Sequence, residues 1–360
     1  MAINMLQQSP GAPRQTLGAI TPPPSEPCQN PHEDGRDEPV IGLETCEQRG
    51  SSDSTLEWGL LAFKYLAEAN NAIEAAKQEF LTQHTRAPHR SRSDVDAPIM
   101  SHLLTTATSG RPISAEDAVG YVYGSKGHRD AFVLCTMTEA TWLLAKGPPS
   151  IPILVVDALS PQHRMPISAA FSKLRTGGEL DVHDFKQVLE KNQTTYAPKR
   201  LAAQKAIDLF NARRNGAGLP VNLLNIGCLR IDNTPQCFLH NDYTALRTRT
   251  NAKAEAPEWK DLDDCTAFQL LASKGAAHLP HVDRHGVYTT ALNEEGKKLW
   301  LLWPGLSLPQ QKQMSDYGKI ADGGVGILIE EGSMLIQPPN TLHAPITLED
   351  CLMTGDMPRN

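Results

Sequence analysis

Hydrophobic residues at Leu56, Leu60, Phe63, Leu66, Ile73 and Phe80 recur mostly at three-, four- and seven-residue steps, the spacing that lines one face of an α-helix. Ser54, three positions before Glu57, has the form of a capping box, and the pattern fades near His84, ahead of Pro88. This helix is expected to pack on its own domain, a dimerisation seam being the other use of such a stripe. Residues 1–54 show neither helical nor strand periodicity; with stretches such as TPPPSEPCQNPHEDGRDEP they are expected to form a disordered tail. RAPHRSRSDVDAP, after the helix, reads as a loop.

From about residue 115 the two periods mix. AFVLC and IPILVVDAL are apolar runs of strand length, whereas SAAFSKL, DVHDFKQVLEKN and KRLAAQKAIDLFNARRNGAG read as helices, the last closed by Arg213, Arg214 and Gly216. After LPVNLLNIG, short strands alternate with turn residues: TAFQLLAS, GVYTTAL, KKLWLLWP, GVGILIEEG, SMLIQPP and HAPITL. The last hundred residues therefore predict a β-sandwich or small barrel, and the whole chain an α+β protein.

Composition narrows the function. The 360 residues could fill two average domains or one large one with extensions. A net charge of −7 without a basic stripe argues against holding nucleic acid by counterion release, while a basic peptide stays open as a partner. The seven cysteines include no C-x-x-C pair and suggest a reducing, intracellular compartment, nucleus or cytoplasm. The N-terminus has no signal-peptide pattern, and the longest apolar run, about IPILVV, falls far short of the roughly 20 residues of a membrane helix. A soluble protein is expected.

HLPHVDRHG, residues 278–286, concentrates the candidate chemistry. His281 and His285 stand four apart, but Pro280 and Gly286 forbid the helix that would align them, and VYTT after them favours a strand. On a strand His281 and Asp283 share a side, about 7 Å apart at the backbone, so an imidazole and a carboxylate could converge on one ion. His343, in GSMLIQPPNTLHAPIT, is the natural third ligand. His278 and His285 are expected beside the site or on the surface, His240 as an ordinary polar residue, and Trp300 and Trp303 as core or pocket wall.

Five residues separate Gly275 from HVD and five separate Gly332 from PPNTLH, spacings that resemble the two signature halves of the cupin double-stranded β-helix. Asn340 stands where the second half usually has glycine; asparagine tolerates positive φ better than other side chains. HVDRHGVYTTALNEEGKKLW, of the form H-x-D-x-x-G-x-x-T and then G-x-K-x-W, together with PPNTLHAPITLEDCLMTG, more closely resembles the JmjC oxygenases in the form common in fungal proteins.

The resemblance implies a JmjC jelly roll with flanking helices over 115–360, with its metal-binding core at about 260–355, preceded by a helical segment and loop at 55–114. It also implies Fe(II) held by His281, Asp283 and His343, leaving positions for the cosubstrate 2-oxoglutarate and for O2. The far carboxylate of 2-oxoglutarate needs a buried cation. Lys297 and Lys298 point to opposite sides of a strand, and the family spacing selects Lys298. Thr289 is the matching hydroxyl, with Tyr288 the less favoured substitute. A protein or peptide substrate follows, hydroxylated or demethylated, histone lysine among the options. A catalytically silent binding module and a cupin enzyme without 2-oxoglutarate stay open, as does the oligomeric state. JmjC proteins usually continue past the last core strand with further helices; here the helix near 56–84 is expected to take that place, a truncated product being the other explanation.

Overall fold

The computed structural model describes residues 51–86, 103–121, 130–147, 150–175, 178–184, 198–227, 229, 237, 267–278, 280–283, 288–304, 306, 307, 309–311 and 324–356. The expected tail up to residue 50, the loop at 87–98, His240 and His285 lie outside the described residues.

In chain order the elements are α1 (Ser51–Arg86), β1 (Thr108–Ser109), β2 (Arg111–Ile113), α2 (Ala115–Ala118), β3 (Ala131–Cys135), α3 (Met137–Leu144) and β4 (Ile153–Val155). There follow α4 (Ile167–Leu174), β5 (Glu179–Asp184), β6 (Lys199–Ala202), α5 (Ala203–Arg214), β7 (Val221–Gly227) and β8 (Ala267–Ala272). The chain closes with β9 (Thr289–Glu295), β10 (Lys298–Trp303), β11 (Val325–Ile329), β12 (Met334–Gln337), β13 (Leu342–Thr347) and β14 (Cys351–Asp356). No helix among the described residues is long and apolar enough to cross a membrane.

The strands form two sheets, the α+β jelly-roll arrangement. The small sheet runs β1-β11-β10-β13; the large one runs β2-β3-β4-β12-β9-β14-β8-β7-β5-β6. Isolated bridges Ala277↔Ile346 and His281↔His343 add the segment around 277–281 to the free edge of β13. Between the sheets, Trp300, Leu302 and Ile327 from the small sheet meet Leu134, Leu154, Ala291, Leu335 and Met353 from the large one. Strand alternation sends the next residues outward: Leu299, Leu301, Trp303, Ala344 and Ile346 pack beneath Ile73 and Ala76 of α1, with Leu103 and Leu104. Each such fully buried aliphatic side chain stabilises the fold by roughly 1.5–3 kcal/mol. Helices α4 and α5 cover the other face of the large sheet at Leu223, Leu271 and Leu352.

Three expectations change. Helix α1 lies on the sheet through Ala62, Tyr65, Ala69, Ala72, Ile73 and Ala76, while Leu60 and Phe63 are 69% and 75% exposed. Small residues let the helix axis come close: Gly326 of β11 leaves room for Ile73, which an added Cβ would meet at 3.1 Å, and the Tyr65 hydroxyl accepts from the Leu328 N–H at 2.7 Å. Second, Asp181–Asp184, expected to be helical, end strand β5, and Lys199–Ala202, expected to open a helix, form β6. Pairing of Asp181 with Arg200 and of His183 with Asn222 overrides their local helical tendency. Third, His281 to Asp283 do not form a strand; only His281 is bridged to its neighbour, by mutual backbone hydrogen bonds of 2.9 Å with His343.

Candidate metal centre

Register determines which side chains meet. In the β10–β13 ladder Lys298 lies opposite Thr347, Trp300 opposite Pro345, and Leu302 opposite His343. Directly opposed residues of an antiparallel pair share a face, so Lys298, Trp300, His343 and Thr347 all point between the sheets. The backbone bridge to His343 draws His281 to the same end, and the chain then brings Asp283 round to both imidazoles.

His281, Asp283 and His343 each offer a ligand atom, all within 4.8 Å of one another. Asp283 Oδ1 is 4.0 Å from His281 Nε2 and 3.7 Å from His343 Nε2. The three are graded from outside to inside: the His281 side chain is 40% exposed, Asp283 18% and His343 2%. Burial pushes the Asp283 carboxyl up, but His343, His281 and the Thr289 hydrogen bond together hold it below the usual carboxylate value.

The surroundings fix these groups. Thr289, on β9, donates its hydroxyl to Asp283 Oδ2 at 2.7 Å, so it reaches the carboxylate of the triad. The Trp300 ring stacks on His343, centroids 5.4 Å apart and planes 15° from parallel, and donates its indole N–H to Gln337 Oε1 at 3.0 Å. His343 Nδ1 lies 3.1 Å from the Thr341 carbonyl and 3.2 Å from Gln337 Nε2. Its other nitrogen faces Asp283.

Further along the inner face Lys298 is 2% exposed, its Nζ 5.9 Å from the Trp300 ring centre. Among the described residues its ammonium has no ion pair and no hydrogen bond, and burial pushes it below the ordinary lysine value. The neighbouring Lys297 turns outward to Glu330 and Glu349, at 3.3 and 3.8 Å. Alternation along β10 thus separates a solvated lysine from a buried one without a counter-charge.

The remaining candidates divide. Trp303 packs under α1 on the outer face of the small sheet. Tyr288 packs with Ile153, Met334 and Ile336, away from Lys298. His278 is held neutral by burial; its Nε2 lies 2.6 Å from Asn222 Nδ2 and its ring 5.6 Å from that of His281. The sequence reading missed Gln337, Thr341 and Thr347. Thr347 was accessible: His343, Pro345 and Thr347 stand two apart, hence on one face of a strand.

Residues 250–355 match the family model described as the JmjC domain. No curated protein matches the chain. Among solved structures, two of the Escherichia coli ribosomal oxygenase YcfD, one in complex with cobalt and succinic acid, are similar at 11% identity. Each match covers 58% of this chain and 48% of the other, with a TM-score of 0.33, so the chain spans about half the length of the structures it matches. The part of the chain that is similar to a known family is therefore residues 250–355, and the family is the JmjC domain.

Proposed function

We propose that the protein is an Fe(II)- and 2-oxoglutarate-dependent oxygenase that hydroxylates or demethylates a protein side chain, with His281, Asp283 and His343 holding the metal and Lys298 the cosubstrate. The carrying observation is two imidazoles and a carboxylate converging within 4.8 Å on the face that also holds a buried lysine without a counter-charge. The donor set fits: two neutral nitrogens and one anionic oxygen suit a ferrous ion and leave open coordination positions. When bound, the metal couples oxidative decarboxylation of 2-oxoglutarate, to succinate and CO2, with insertion of one oxygen atom from O2 into a C–H bond.

The chain's own residues prepare that chemistry. A metal-ready His343 carries its proton on Nδ1, where the Thr341 carbonyl accepts it at 3.1 Å, leaving Nε2 free. Thr289 holds one Asp283 oxygen, so the other is left for the ion. Trp300 stacked on His343 fixes the ring plane and shields that side of the site from water. Lys298, its Nζ 5.9 Å from the centre of the same indole, can take the second carboxylate of a short dicarboxylic acid. The partly exposed His281 marks the side from which a protein substrate reaches the metal.

Succinate release from 2-oxoglutarate with Fe(II) and a pool of cell-derived peptides tests this reading. The wild-type chain should turn over, Asp283→Ala should lose metal affinity more than about a hundredfold, and Lys298→Ala should bind metal but not 2-oxoglutarate. Metal binding unaffected by Asp283→Ala would refute the assignment of the triad. Metal binding without 2-oxoglutarate binding by wild type would favour a cupin enzyme of another kind, and binding of both without turnover a silent module.

A further inference from the structure

Resting on that reading of Lys298, we propose that Thr347 is the second ligand of the anion at the inner end of the pocket, and that the Lys298–Thr347 pair selects a dicarboxylate over a monocarboxylate 2-oxo acid. Thr347 is 1% exposed, and its Oγ1 has no hydrogen-bond partner among the described residues. Its backbone N–H is already used, donating to Ala276 O at 2.8 Å, so the unmatched group is the hydroxyl alone. A buried hydroxyl left in this way costs free energy, which an unrelated valine of the same shape would avoid.

The position gives the hydroxyl a use. Thr347 is the register partner of Lys298 on the adjacent strand, and both point between the sheets. Side chains so opposed have Cβ atoms about 5 Å apart, close enough for the ammonium and the hydroxyl to hold the two oxygens of one carboxylate. The other polar groups nearby are engaged: Cys351 donates its thiol to Asn293 Oδ1 at 3.1 Å, and Asn293 Nδ2 donates to the Gly296 carbonyl at 2.6 Å and the Ile329 carbonyl at 3.3 Å. Thr289, the hydroxyl that the family spacing suggested for this role, is committed to Asp283 instead. Lys298 and Thr347 are therefore adjacent buried groups lacking a partner on one face, and a carboxylate satisfies both: it neutralises the ammonium and accepts from the hydroxyl.

Titration calorimetry of the full chain loaded with Mn(II), using 2-oxoglutarate and, separately, oxalate, tests the pair. Oxalate can engage the metal but is too short to reach Lys298. Thr347→Val should weaken 2-oxoglutarate about tenfold, leave oxalate and Mn(II) binding unchanged, and keep or raise the melting temperature, whereas Thr347→Ser should restore 2-oxoglutarate affinity. Unchanged 2-oxoglutarate affinity in Thr347→Val would overturn the pair while leaving the oxygenase reading intact. A parallel loss of oxalate affinity, or a lower melting temperature, would overturn it by making Thr347 structural. Wild type that binds Mn(II) and oxalate but not 2-oxoglutarate would overturn the pair and the oxygenase reading together.

Discussion

Two buried polar clusters, one on the outer face of the large sheet and one on the inner face of the small sheet, differ in how far they are satisfied. On the outer face Glu294 is fully buried; its Oε2 accepts from the Met165 N–H at 2.8 Å, and its Oε1 accepts from Gln269 Nε2 at 3.3 Å and from the Thr354 hydroxyl. Gln269 in turn donates to Thr354 at 2.9 Å and accepts from the Leu229 N–H at 3.2 Å. On the inner side, across the sandwich, Lys298 and Thr347 are 2% and 1% exposed, and among the described residues neither the ammonium nor the hydroxyl makes a hydrogen bond. The first cluster is complete within the chain and ties α4's approach to the sheet. The second has no completing group among the described residues, which is where the proposed carboxylate would bind.

The sharpest way to break the comparison is to remove the centre of the complete cluster. Glu294→Ala strands the Met165 N–H and the Thr354 hydroxyl donor and leaves the Gln269 amide with only its bond to Thr354, and should cost about 3 kcal/mol or more in urea unfolding. A loss well under 1 kcal/mol would mean that the network does not hold the fold.

Lys298→Met should do the opposite. It replaces a charge that burial penalises with an apolar chain of similar length, so the metal-free protein should gain about 1 kcal/mol while losing 2-oxoglutarate binding. The folded-state value of Lys298 is lowered, so its burial penalty is complete at pH below that lowered value. It fades as pH rises towards 10.5, the ordinary lysine value. The gain from Lys298→Met should accordingly be larger at pH 7 than at pH 10, as thermal melts at both would report. A destabilised Lys298→Met at pH 7 would show that the lysine is satisfied by the chain itself and place it with Glu294 rather than Thr347.

The same contrast explains what could be read from the sequence. The grouping of His281 and Asp283 with the distal His343 was visible in their spacing, although the strand assumed for H-x-D did not form, and the burial of Lys298 rather than Lys297 was visible in strand alternation. The helical stripe of α1 was visible too, but its Leu60 and Phe63 misplaced the packing face because the intimate contact runs through alanines, which carry little hydrophobic signal. Strands β5 and β6 were hidden because their pairing with each other and with β7 comes from long-range contacts rather than local preference. Hydroxyl partners were the least legible: whether Thr289 serves Asp283 or an anion depends on where Asp283 turns after its single bridged residue, His281.

Asn340 offers the smallest and most selective probe. It is the non-glycine residue with positive φ among the described residues, at 56°, in the turn between β12 and β13 that delivers His343 to the site. Glycine holds that conformation without the contact between Cβ and the carbonyl that strains other residues. Asn340→Gly should therefore stabilise the chain by about 0.5 kcal/mol, offset in part by the freer unfolded chain that glycine brings. The hydrogen bond that Gln311 Nε2 donates to this turn at 2.8 Å ends on the Asn340 backbone carbonyl, which the substitution keeps. Metal affinity should stay as in wild type, since neither the bridge to His281 nor the Thr341 carbonyl moves. A change in metal affinity with little change in melting temperature would mean that the asparagine side chain itself tunes His343, placing the turn with the incomplete cluster rather than with the scaffold.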